Sequence, residues 1–219
     1  MYILHIPIIL ILINKLENNY NNDYVSHQNN KEITDNIISI YHALYLIISS
    51  ILYLCNILSI DIYDYILFHS VIYTFNDLIK VYNNNNKMKY EITLHHILLI
   101  CINMSRKLVE FETIYTYYLA LNYLTEMSTP TLNISRNLYF LNKKNTFLFK
   151  LCTIATFILY FLFRVVLLIY LLIDGLNNNI IFYYKYKCIL ICSCQLLLLL
   201  LNCYWFGKIT RLIIKHNNF

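Results

Sequence analysis

An adjacent pair of histidines, His95-His96, sits inside an apolar run, and a glutamate, Glu126, sits inside the next one. An imidazole in a dry environment can take a proton from a nucleophile or attack an electrophile itself. A carboxylate beside it fixes its tautomer and stabilises its cation. His95, His96 and Glu126 are therefore the candidate catalytic residues. His42, Asp77, Arg164 and Asn202 interrupt other apolar runs and are the candidate substrate-binding residues. Ionisable groups within hydrocarbon cost about 2.5–3.5 kcal/mol each on insertion scales, which makes each a functional candidate. The competing roles are structural. A histidine on a membrane helix often serves as a hydrogen-bond partner for a neighbouring helix, worth about 0.6 kcal/mol, and this reading suits His42 and His69. Asp77 lies near enough to a span end to snorkel into the interface. Arg164 fits a counter-ion, a headgroup ligand or a structural clasp equally well. Imidazole and carboxylate also suit zinc, but consecutive helical residues point about 100° apart, so His95 and His96 reach one ion poorly. No metal site is expected.

These groups need helices to position them, and the composition supplies helices. Of 219 residues, 59% are hydrophobic and 13% charged, against about a quarter charged in soluble domains. Gly and Pro occur twice each, too few for the turns of a β protein. The apolar runs are long and continuous, unlike the alternating segments of about ten residues in a membrane barrel. They cover residues 37–60, 65–82, 90–104, 113–130, 148–173 and 188–206. A span needs about 17–25 residues, so the run at 90–104 requires Lys87, Lys89, Arg106 and Lys107 to complete it at the two interfaces. The expected fold is an all-α polytopic bundle of six spans. The stretch Met1 to Ile13 is a candidate for a short additional N-terminal span and lacks the basic start and cleavage site of a signal peptide. Residues 1–36 thus hold that stretch and a polar, Asn-rich connection; residues 37–215 form the membrane domain.

Basic residues in alternate connections number twelve on the side of the C-terminus and four on the other, which predicts a cytosolic C-terminus. Cations beside anionic headgroups account for the net charge of +5 without nucleic acid as a partner. Tyr183, Tyr184 and Tyr186, and Tyr204-Trp205, read as aromatic anchors at the two ends of the last span. With this orientation, His42, Asp77, His95, Glu126 and Asn202 fall at similar depth in the cytosolic third of the bilayer. A polar pocket opening towards the cytosol is the inference. The run Asn83-Asn84-Asn85-Asn86 and the Asn-rich 18–22 segment are loop filler. Seven cysteines in or beside apolar runs are an odd set without zinc spacing, and read as small core residues. The glycosylation sequons at Asn103 and Asn133 lie at a span end and on the predicted cytosolic side, so neither should be used.

The order of these motifs resembles a known family. The His95-His96 pair is followed by Tyr-Leu-Thr-Glu-Met-Ser-Thr-Pro-Thr-Leu-Asn from Tyr123 to Asn133. Phe-Leu-Phe-Arg-Val-Val follows from Phe161, and Leu-Asn-Cys-Tyr-Trp-Phe-Gly-Lys-Ile from Leu201. Together with Ser-Ile-Tyr-His-Ala at Ser39 and Phe-Asn-Asp-Leu at Phe75, this is similar to the TLC domain, shared by ceramide synthases and the TLC domain-containing proteins. The resemblance implies residence in the endoplasmic reticulum, membrane lipids as partners, and a role in lipid metabolism or homeostasis. In its enzymatic form it implies a ceramide-synthase-like N-acyltransferase, with acyl-CoA as co-substrate and no bound cofactor. The acceptor would be a sphingoid base or another lipid. Where ceramide synthases carry His-Asp-x-x-Asp after the His pair, this sequence has Thr125-Glu126-Met127-Ser128-Thr129: Glu126 stands at the first acid and Thr129 at the second. The Glu-x-Ser-x-Pro form is closer to the TLC domain-containing branch. The alternative is therefore a non-catalytic lipid-binding protein that influences membrane composition.

Overall fold

The computed structural model describes residues 27–83, 89–105, 112–177 and 185–216. The Met1–Ile13 stretch, the 18–22 segment, Asn84–Asn86, Lys87, Arg106, Lys107, Tyr183 and Tyr184 lie outside them. Among the described residues the structure is helical apart from two short turns, at 55–59 and 141–146, with no strand. Helix α1 is His27–Leu54, α2 Ile60–Asn83, α3 Lys89–Ser105 and α4 Glu112–Tyr123. A 3₁₀ turn, Leu124–Ser128, leads into α5, Thr129–Phe140. Helix α6, Phe147–Leu159, passes through a π-helical segment, Tyr160–Val166, into α7, Leu167–Asn177. Helix α8, Lys185–His216, closes the described chain.

Each expected apolar run lies mostly on helix, with three departures. The first run, 37–60, outlasts α1, which ends at Leu54. The connection expected at 131–150 is helical over most of its length, as α5 and the start of α6. The polar lead into the first run is helical from His27. Among the described residues three stretches are long and apolar enough to cross a membrane: Asn29–Leu54, Phe147–Asn177 and Ile189–Arg211. The others fall short for identifiable reasons. Helix α2 carries Asp61, Asp64, Asp77 and Lys80, α3 has 17 residues, and α4 has 12 before the 3₁₀ turn.

With almost no glycine, the chain stops helices with asparagine. Asn56 and Asn142 have φ of 58° and 57°, a left-handed conformation that asparagine tolerates better than most side chains. After α1, Asn56 N–H donates to the Tyr53 carbonyl at 2.9 Å and Ile57 N–H to Leu52 at 2.9 Å. After α5, Asn142 donates to Tyr139 at 3.0 Å and Lys143 to Leu138 at 2.8 Å. Both are paired bonds of the Schellman type, which satisfy otherwise orphaned carbonyls.

The chain divides into two compact units, Met1–Ala43 with Thr129–Thr156, and Leu44–Ser128 with Phe157–Phe219. The first is joined by polar side chains: Asn36 donates to Asn137 at 2.8 Å and Thr156 to Thr131 at 3.0 Å. In the second, Leu46, Tyr63, Leu98, Leu119, Leu168 and Leu198 form the centre of an apolar core. Polar groups share that interior: Ser50 bonds the Tyr63 hydroxyl at 2.8 Å, and Tyr123 donates to Asn103 at 2.8 Å. Meanwhile Phe68, Ile154, Tyr170 and Leu200 are exposed. Small polar residues inside and large apolar ones outside suit a hydrocarbon surround, where helices associate through close packing and interhelical hydrogen bonds.

Candidate functional site

The second unit gathers most of the predicted polar residues. Proline explains how Glu126 arrives there. Pro130 has no N–H to donate to the Glu126 carbonyl, and its ring would clash with that carbonyl in a continuous α-helix. The chain tightens instead into the 3₁₀ turn Leu124–Ser128, which carries Glu126. Opposite it lies the π segment Tyr160–Val166, where Leu167 N–H reaches back to the Leu162 carbonyl. One extra residue per turn rotates the following side chains, and such π insertions often occur at functional sites. Arg164 on this segment is buried. Its Nη2 donates to Glu126 Oε2 at 3.1 Å and its Nε to the Thr125 carbonyl at 3.0 Å; Nη1 lies 3.5 Å from Asn202 Oδ1. Asn202 Oδ1 also accepts the Tyr160 hydroxyl at 2.9 Å, and the Tyr160 ring lies under the guanidinium at 5.2 Å. The Arg fork, with five donors and no acceptor, is thus held from several sides.

The histidine pair divides its contacts, as neighbours 100° apart on a helix must. His96 Nε2 lies 2.8 Å from Asp77 Oδ2 on α2. An ionised carboxylate only accepts, so Nε2 carries a proton, and in the neutral imidazole Nδ1 then keeps its lone pair. That Nδ1 is buried and has no hydrogen-bond partner within the described protein. The His95 ring packs against Trp205 of α8 at 5.3 Å and against His96 at 5.6 Å, and its Nδ1 is likewise buried without a partner. His95 lies within electrostatic range of Arg164, His96, Glu126 and Asp77.

The second unit therefore holds two polar groups, His95 and His96 with Asp77, and Arg164 with Glu126 and Asn202. His42 belongs to the first unit, where it is partly buried. The division of labour differs from the expected one. The carboxylate that bonds a histidine of the pair is Asp77, while Glu126 bonds Arg164. Sequence reading missed Tyr160, which lies four residues before Arg164 and so on the same helix face, and Glu91, four residues before His95. It read Trp205 only as an interfacial anchor. Among the described residues no group of three or more His, Cys, Asp or Glu side chains is arranged to hold a metal ion.

A family model, the TLC domain, matches residues 2–211. The chain belongs to the TLC domain family. This makes it an integral membrane protein of lipid metabolism or homeostasis, in agreement with its apolar helices. No curated protein matches the sequence. Within the TLC domain, the His pair and Glu126 lie on α3 and on the 3₁₀ turn after α4.

Proposed function

We propose that this TLC protein spans the endoplasmic-reticulum membrane six times with a cytosolic C-terminus, and transfers a fatty-acyl group from a coenzyme A thioester to the amine or hydroxyl of a lipid. The observation that carries the reading is the His96–Asp77 contact at 2.8 Å with the opposite ring nitrogen buried and unpartnered. This is the arrangement of a general base whose tautomer is fixed by a carboxylate. With an amine acceptor, its nitrogen attacks the thioester carbonyl, forming the C–N bond, while His96 Nδ1 takes the departing proton. The C–S bond then breaks as the carbonyl re-forms, and His96 returns the proton to the leaving thiolate. The products are an amide and free coenzyme A. His95 supplies a second imidazole against the proton-accepting one, and the Glu126–Arg164 pair forms a charged wall within electrostatic range of it. A cytosol-facing cluster suits a water-soluble acyl donor.

Purified protein in nanodiscs, given labelled acyl-CoA and a long-chain amine, should yield labelled amide. His95→Ala and His96→Ala should remove that product; unchanged turnover in both would overturn the reading. A second reading, lipid binding without turnover, is favoured by Thr129 at the position of the family's second acid. Labelled lipid that co-purifies with the protein, with no amide formed, is its expected result.

A further inference from the structure

Glu91 lies one turn before His95 on α3, so the two side chains share a helix face. Helix α8 presents Tyr204, Trp205 and Lys208 to that face. Glu91 Oε2 accepts from Trp205 Nε1 at 3.0 Å and from Lys208 Nζ at 3.1 Å. Its Oε1 accepts from Lys208 Nζ at 2.8 Å and from the Tyr204 hydroxyl at 3.1 Å. One indole therefore spans two turns of α3, its N–H bonded to Glu91 and its ring against His95. The indole nitrogen is a donor only, so the bond to Glu91 fixes which way the ring plane turns. His95 has no hydrogen bond at Nδ1 to orient it, and its ring packs against the aromatic rings of Trp205 and His96.

We propose that Glu91 is a positioning residue that sets the His95 ring through Trp205, with Lys208 supplying countercharge rather than geometry. The spatial claim is independent of turnover; its consequence for the rate rests on the acyl-transfer reading above. Trp205 is the sole tryptophan of the chain, so its fluorescence reports this corner alone.

The test uses the full chain in nanodiscs, with Trp205 fluorescence anisotropy, acrylamide quenching and isotope-labelled histidine resonances. His95→Asn identifies the His95 signal. Glu91→Ala should lower the anisotropy, raise the quenching constant about twofold or more, and shift the ring-current-displaced His95 resonance while leaving that of His69 unchanged. Glu91→Gln keeps an acceptor for the indole N–H and should restore all three readouts; Lys208→Ala should leave them close to wild type. Trp205→Phe, which keeps a ring but loses the N–H, should shift the His95 resonance as Glu91→Ala does. In the turnover assay Glu91→Ala should lower kcat by about ten- to a hundredfold, the scale of a small misplacement of a reacting group, with KM changed less than about twofold, since uniform binding is retained. Unaltered Trp205 and His95 signals in Glu91→Ala would overturn the proposal. So would equal perturbation by Lys208→Ala, which would assign the effect to the ion pair. If wild type shows no acyl transfer, the functional reading fails while the spectroscopic arm still decides the positioning.

Discussion

Replacing Arg164 by Met removes the guanidinium beside Glu126 and keeps an unbranched side chain of moderate length. The side chains of Arg164 and Glu126 are 8% and 15% exposed, so water screens neither well. Arg164→Met deletes the 3.1 Å ion pair and the 3.0 Å bond to the Thr125 carbonyl, and leaves Glu126 charged in a desolvated site. Removing one member of a buried pair costs about 3–5 kcal/mol. At about 2–4 °C per kcal/mol for a chain of this size, the melting point should fall by about 10 °C. Glu126→Gln should cost less, about 1–3 kcal/mol, because an amide oxygen still accepts from the guanidinium. The double variant Arg164→Met with Glu126→Gln contains neither charge and should recover part of the loss, with a coupling of about 1–3 kcal/mol. Thermal unfolding in nanodiscs, followed by circular dichroism, measures all three. A double variant whose loss equals the sum of the single losses, or an Arg164→Met protein as stable as an exposed Lys143→Met control, would refute the clasp.

Asn56→Gly should be close to neutral in thermal unfolding, whereas Asn56→Ile should cost about 1–2 kcal/mol, because a β-branched side chain resists the φ of 58° at the end of α1. Asp77→Asn should keep the fold, measured as helical content, and lower acyl transfer by about 10²–10⁴-fold by removing the group that fixes the His96 tautomer. A thiol-reactive, membrane-impermeant label on a cysteine introduced at Lys215 should react in sealed microsomes without detergent, as a cytosolic C-terminus requires; labelling only after permeabilisation would reverse the orientation.

The fold class was legible because membrane helices are written as long apolar runs, and each run lies mostly on helix. The lengths were less legible. Hydropathy does not register polar helical turns such as those leading into α1, nor a helix like α5 whose buried residues are Thr129, Asn133 and Ser135 rather than large apolar ones. The candidate cluster was half legible. Rarity in hydrocarbon singled out His42, Asp77, His95, His96, Glu126 and Arg164, while approximate depth grouped His42, Asp77, His95, Glu126 and Asn202, a set that includes His42 of the first unit and omits Arg164. Which carboxylate meets which cation depends on helix rotation. That rotation is set by the Pro130-induced 3₁₀ turn and by the π segment around Arg164, and neither follows from depth alone. Glu91 escaped notice, and Trp205 was read only as an anchor, because residues near span ends are expected to face the interface. Their pairing across two helices appears only once α3 and α8 are packed.

The proposed acyl transfer turns on His96 acting as a base held by Asp77. Its most direct test is release of free coenzyme A thiol from long-chain acyl-CoA by proteoliposomes containing an amine lipid, comparing wild type with His96→Ala. Wild type should release thiol in step with amide formation, and His96→Ala should release none above protein-free liposomes. Equal release by the two proteins would contradict the account.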